Sequence, residues 1–208
     1  MPNYYVDQQM DANFPFEWLV DLARPTACQV YPAIQSKVIS VGDHEATAAH
    51  YYAGAASYYD RGADGLYFPW FRWPVGPQGR QLLTELDDTD LLQEKPKHYV
   101  VRRHHEVAAS RGYTAQLPVT LTPGVDAPGQ AVRVYVADDS SGGGATLRVR
   151  LTDSTTHDSI TVSLNGEPLP EETSSRTSYG YTYSWLDYPL RDGALRHGVN
   201  EVAVALHA

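Results

Sequence analysis

The sequence predicts an α/β segment followed by an all-β domain: an incomplete parallel sheet with its helices over residues 1–95, then an antiparallel β-sandwich over 97–208. Three observations carry this. Between Cys28 and Trp73 the chain reads strand, helix, strand. From Lys97 onward the hydrophobic period switches from helical to two. After that switch, short apolar runs are separated by Asp, Gly, Pro and Ser turns, the habit of a sandwich.

In the first part, Phe16 to Ala23 sets Trp18, Leu19, Leu22 and Ala23 on one face of a short helix that Arg24-Pro25 ends. Ala27 to Ile34 reads as a short buried strand, irregular at Pro32. Gly42-Asp43 is a candidate N-cap for a helix over Glu45 to Arg61, with Tyr52, Ala55, Ala56 and Tyr59 on one face and Gly62 as the left-handed stop. Leu66-Tyr67-Phe68 is the second strand. Two apolar strands joined by a helix of this length pair in parallel, because antiparallel pairing needs only a hairpin. Two strands are too few for a complete barrel or doubly wound sheet. A further helix is expected at Gly79 to Leu86, then the acidic turn Asp87 to Asp90 and a linker, Glu94 to Lys97.

In the second part, strands are expected at Tyr99–Arg102, Leu117–Leu121, Ala131–Val136, Leu147–Leu151, Ile160–Leu164, Tyr181–Trp185 and Glu201–Leu206. Ser140 to Gly144 reads as a flexible loop between neighbouring strands, and Asn165-Gly166 as a hairpin turn, since both residues tolerate positive φ. Alternation sends Tyr179, Tyr181, Tyr183 and Trp185 to one side of a strand; a sandwich must bury one face, so these rings are expected in the core, an exposed row being the alternative.

Composition narrows the function. A net charge of −9 and pI near 5.2 disfavour a nucleic-acid backbone or an anionic membrane, both of which need a basic field, and favour a neutral ligand. The single cysteine, Cys28, excludes an internal disulfide and reads as a buried small apolar residue. Met1 to Tyr5 lacks a basic region followed by an apolar run, and no stretch reaches the length of a membrane span, so a soluble chain without export signal is expected, its compartment open.

The candidate site lies where the second strand runs into Trp70-Phe71-Arg72-Trp73. In parallel α/β sheets ligands bind at the carboxyl ends of strands, and two tryptophans flanking an arginine make a flat platform with a polar hook, as sugars require. The other reading of the cluster is a hydrophobic plug against a neighbouring domain. Tyr31, Gln35, Tyr67, Trp70, Arg72 and Trp73 are the candidate substrate-binding residues, rings stacking on sugar faces while Arg72 and Gln35 bond hydroxyls.

Gln29 to Ile34 and Arg61-Gly62-Ala63-Asp64-Gly65-Leu66-Tyr67-Phe68 resemble the last two strands of a glycoside-hydrolase-like (β/α)8 barrel. Asp158 to Gly166 and the ending Gly198-Val199-Asn200-Glu201-Val202 are similar to the jelly-roll modules that follow barrels of bacterial carbohydrate-active enzymes. The resemblance implies the C-terminal part of a larger hydrolase: a partial (β/α) barrel with its last two βα units, then a jelly-roll-like sandwich. Such hydrolases work with two carboxylates supplied by separate strand ends. Gln35 and Ser36 stand at the end of the penultimate strand, Asp43 and Glu45 read as helix-starting acids, and Asp64 falls at the start of its strand, so no catalytic pair is assigned.

No metal or cofactor is expected: the adjacent His104 and His105, with His98 and Glu106, point to opposite faces of a strand, and neither a Gly-x-Ser-x-Gly elbow nor a phosphate-cradling loop is present. The expected partner is carbohydrate, with no nucleic acid and no membrane. Open sheet edges leave self-association or pairing with a missing barrel fragment as a further reading.

Overall fold

The computed structural model describes residues 10–39, 43–69, 74–102, 116–124, 129–138, 144–179 and 183–207. The chain forms two compact units, Met1–Pro118 with Val134–Asp138, and Val119–Arg133 with Asp139–Ala208. The first is mainly helical and the second is built of antiparallel sheets.

In the first unit, α1 (Glu17–Ala23) forms where expected but turns its other side inward. Phe16, 1% exposed, and Val20 belong to the core, whereas Trp18 and Leu22 are exposed. The i, i+4 pair Phe16–Val20 sets the orientation because Phe16 meets the Tyr58 ring edge-on at 5.2 Å while the Arg61 guanidinium lies 4.8 Å over it. Arg61 also donates to the carbonyls of Ala12 and Phe14 and pairs with Glu17, tying the chain before α1 to the end of the long helix.

The expected strand Ala27–Ile34 reduces to one parallel bridge, Ala33 to Tyr67. Ile34 N–H donates to Tyr67 O at 2.9 Å and Tyr67 N–H to Pro32 O at 3.0 Å, and Asp64 fastens the other end by accepting from Val30 N–H at 2.7 Å. The parallel direction follows the expectation, but the segment before Val30 is not a strand. Cys28 is exposed, against its expected burial, because it lies in the turn after α1, where its N–H donates to Thr26 Oγ1.

Between these segments, a small hairpin of β1 (Lys37–Ile39) and β2 (Asp43–Glu45) replaces the expected start of the long helix. Asp43 and Glu45 are therefore strand residues and do not start a helix. That helix, α2 (Ala48–Asp60), begins at the N-cap Thr47, whose N–H donates to Nδ1 of His50 at 3.1 Å; the imidazole takes the place a Glu or Gln fills in an ordinary capping box. It ends as foreseen at Gly62, φ 92°, with Gly62 N–H bonded to Tyr59 O and Ala63 N–H to Tyr58 O, the two bonds of a Schellman stop. A Cβ at Gly62 would meet Val20 Cγ1 at 2.9 Å. Gly62→Ala should therefore cost more than about 1 kcal/mol in urea denaturation, from left-handed strain and from the displaced Val20.

Helix α2 is buried on two sides. Tyr58 joins Met10, Phe16, Ile34 and Val38 in one cluster; Tyr52 and Ala55 join Leu82, Leu86 and Leu92 in another. Those leucines come from α3 (Pro77–Glu85), its C-cap Leu86, and α4 (Thr89–Glu94). Helix α4 was not foreseen: Asp88, read as part of an acidic turn, is its N-cap, accepting from Leu91 N–H at 3.0 Å. The expected linker Glu94–Lys97 is anchored instead, Lys95 on Glu85 and Lys97 on Asp138, both at salt-bridge distance.

A four-stranded sheet has the order β3 (Gln130–Val136, of which Gln130–Arg133 fall in the second unit), β9 (Gly198–His207), β5 (Ser159–Leu164), β6 (Glu167–Pro168). A three-stranded sheet has the order β4 (Ala145–Thr152), β8 (Tyr183–Leu190), β7 (Ser175–Tyr179). The pairings β5–β9, β5–β6, β4–β8 and β7–β8 are antiparallel. Each sheet buries one face: Ile160, Val162, Leu164, Val202 and Val204 in the larger, Leu151, Leu186 and Tyr188 in the smaller. Among the described residues no closed barrel forms, and of the expected strands Tyr99–Arg102 runs as irregular chain while Leu117–Leu121 keeps only a bridge at Leu117. Residues 140–143, expected as a loop, lie outside the described residues; β3 and β4, the strands that flank them in sequence, belong to different sheets.

The Asn165-Gly166 turn is as expected, with φ 54° and 85°, closing the β5–β6 hairpin. What holds it is Asn200, 0% exposed on β9. Its Oδ1 accepts from Asn165 Nδ2 and Arg196 N–H, both at 2.9 Å, and its Nδ2 donates to the carbonyls of Arg196 and Gly198.

Candidate functional site

Alternation across the Ala33–Tyr67 bridge decides which side chains of the first unit reach solvent. Ile34 is buried, and Leu66 and Phe68 pack against the helical clusters, while Tyr31 is 41% exposed and Tyr67 44% exposed. Tyr31 lies across Gly65, where a Cβ would stand 2.3 Å from its Cε1, and its hydroxyl donates to Gln29 Oε1 at 2.8 Å. Gly65 thus lets one tyrosine lie flat two residues before the other. Gln35 does not join them at the surface: its Oε1 is buried and has no hydrogen-bond partner among the described residues. Trp70, Arg72 and Trp73 lie outside the described residues, so the structure brings together two of the six residues read as substrate-binding.

A polar cavity in the same unit was missed by sequence reasoning. It holds about 20 Å3, room for about one water, and its polar lining comprises Asp11, His50, Ser57, Tyr58, His98 and Tyr99. The rings of His50 and His98 stack at 4.3 Å. Burial, reinforced by the neighbouring His98, lowers the His50 pKa to about 4, so the imidazole is neutral and Nδ1 is free to accept from Thr47. Burial likewise pushes Tyr58 and Tyr99 up, helped by Asp11 and Asp138 respectively. The cavity is too small for a sugar, and its polar groups serve helix capping and packing. His98 was grouped by sequence with His104, His105 and Glu106; the last three lie outside the described residues, and among the described residues no three His, Cys, Asp or Glu stand together as metal ligands.

In the second unit the aromatic row departs from expectation. Strand β8 buries Ser184, Leu186 and Tyr188, so Tyr183 and Trp185 face the other way and remain partly exposed. Tyr179, cross-strand neighbour of Tyr183, is 50% exposed. The core takes Leu186 and Tyr188, with Ser184, from the residues of opposite parity. Tyr181 lies outside the described residues.

No helix among the described residues is long and apolar enough to cross a membrane. Comparison with protein-family models and with curated proteins found no match.

Proposed function

We propose that this chain is the C-terminal portion of a carbohydrate-active, glycoside-hydrolase-like protein. In this reading the first unit is a partial (β/α) barrel contributing Tyr31, Gln35, Tyr67, Trp70, Arg72 and Trp73 to a glycan cleft, and the second is an accessory jelly-roll-like β-sandwich; the chain alone does not catalyse hydrolysis. The observation that supports it is the parallel Ala33–Tyr67 bridge with Tyr31 and Tyr67 half exposed beside it, since open aromatic rings at a parallel-strand end suit the faces of pyranose rings.

The reading is tested by calorimetric titration of the full chain with neutral β-linked hexasaccharides of glucose, xylose and mannose. One of them should bind, and the double change Tyr31→Ala, Tyr67→Ala should weaken that binding about tenfold, the loss of one to two ring contacts. Gly65→Ala should weaken it too, because the added methyl evicts the Tyr31 ring. Hydrolysis of a glycan by the purified chain, abolished by changing one carboxylate, would contradict the noncatalytic assignment. A second reading, a noncatalytic carbohydrate-binding module, is favoured by the outward row Tyr179, Tyr183 and Trp185.

A further inference from the structure

We infer that the outer face of the β4–β8–β7 sheet is a glycan-binding surface of its own, for a neutral polysaccharide chain, with Tyr179, Tyr183, Trp185 and the Arg148–Asp187 pair as its contacts. The inference deepens the second carbohydrate reading above and uses none of the six residues assigned to the glycan cleft.

The register builds the surface. Arg150 lies opposite Trp185, Arg148 opposite Asp187, and Tyr183 opposite Tyr179. Diagonal contacts join these rungs: Arg148 stands 5.4 Å over the Trp185 ring, and Arg150 stands 4.5 Å over Tyr183. Tyr183 stacks on Tyr179 with ring centroids 4.8 Å apart and planes 12° from parallel. The result is a continuous pile running from Asp187 through Arg148, Trp185, Arg150 and Tyr183 to the half-exposed Tyr179. Tyr183 is held between Arg150 and Tyr179, so the ring offered to a sugar is the half-exposed Tyr179, which its stack on Tyr183 orders before any ligand arrives.

The polar end has the chemistry of hydroxyl recognition. Arg148 Nε and Nη2 donate to the two Asp187 oxygens at 2.7 and 2.8 Å, a planar fork that sets donors and acceptors side by side. A sugar hydroxyl both donates and accepts, so it bonds to such a pair from the edge. Ser175 and Thr177 add hydroxyls from β7 on the same side. Two guanidiniums against one carboxylate leave a single net positive charge, too weak a field to select a phosphate backbone or an anionic bilayer. The outward positions of β4 and β8 are Thr146, Arg148, Arg150, Thr152, Tyr183, Trp185, Asp187 and Pro189; with no Val, Ile, Leu or Met among them, they lack the aliphatic pocket that seats a protein anchor.

The test uses the full chain carrying Tyr31→Ala and Tyr67→Ala, titrated with the same hexasaccharides. This background should still bind one equivalent of the preferred sugar. Adding Tyr179→Ala should lower the remaining affinity at least about tenfold, and Arg148→Lys, which keeps the charge and loses the fork, should lower it severalfold. Unchanged far-ultraviolet dichroism and unfolding midpoint show that Tyr179→Ala, at a half-exposed strand end, leaves the fold intact. If the wild-type chain binds and the background does not, this surface is overturned while the first reading stands. Residual binding indifferent to Tyr179→Ala overturns it as well. If no glycan binds the wild-type chain, both readings fall; a self-association abolished by Tyr179→Ala would then assign the face to a second copy of the chain.

Discussion

Stability should fall by up to about 3 kcal/mol as pH is lowered from 6.5 to 4, and His50 should account for most of that fall. The folded state holds this imidazole neutral, with a pKa lowered to about 4 by burial and by His98, whereas the unfolded chain protonates near 6.5. Below 6.5 the unfolded state therefore takes up the proton first, so the contribution is whole above that value and is lost toward 4. Geometry adds to the cost, because a protonated Nδ1 cannot accept from Thr47 and the first turn of α2 loses its cap. Of the other titratable groups lining the cavity, Tyr58 and Tyr99 remain neutral throughout this range. Urea titrations at several pH values should show the fall, and His50→Gln should flatten it. A wild-type midpoint constant between pH 7 and 4.5 would refute the neutral buried imidazole. Glu85 titrates in a separate window: Lys95, Tyr52 and Gln81 hold it down to about 2, so its contribution is present above 4.5 and disappears only in stronger acid.

Asn200→Ala should destabilise the second unit by about 2–4 kcal/mol. Both amide hydrogens and both lone pairs of Asn200 are engaged, and all four partners lie around a side chain closed to water. Truncation removes an acceptor from Arg196 N–H and a donor from the carbonyls of Arg196 and Gly198. It also loosens Asn165, whose Oδ1 accepts from Glu201 N–H at 3.0 Å and whose positive φ shapes the β5–β6 turn. Asn200→Asp should do at least as much harm at neutral pH, since it sets a carboxylate oxygen against those two carbonyls. Denaturation by urea measures both; a loss within about 0.5 kcal/mol for Asn200→Ala would mean that water replaces the amide and the network is not structural.

Strands with clean alternation were legible from the chain alone. Ala131–Val136, Leu147–Leu151, Ile160–Leu164 and Glu201–Leu206 match β3, β4, β5 and β9 within a residue or a few at each end. The Schellman stop at Gly62 and the Asn165-Gly166 turn were legible because only residues tolerant of positive φ fit there. The start of α2 was not: Gly42-Asp43 carries cap chemistry, but the working pair is Thr47 with an imidazole three residues on, outside the usual signature. Likewise Trp18 and Leu22 outweigh Phe16 and Val20 in a helical-wheel reading, and only the tertiary seat of Phe16 between Tyr58 and Arg61 reverses that. Of the candidate site, the outward pointing of Tyr31 and Tyr67 followed from parity in the strand pair. The side taken by Tyr183 and Trp185 did not, because both parities of β8 are aromatic-rich and hydrophobicity alone leaves the choice open.

The five residues Val134–Asp138 belong to the helical unit although the chain on either side of them belongs to the sheets. Backbone therefore passes from one unit to the other three times, and a single proteolytic nick at residue 118 severs only one of the three crossings. Excising everything after that point as a cassette would strip Lys97 and Tyr99 of the Asp138 carboxylate that both grip. A graft of residues 119–208 onto another protein would carry that strip of backbone away from its helical host, so simple end-to-end fusion does not separate the two units cleanly.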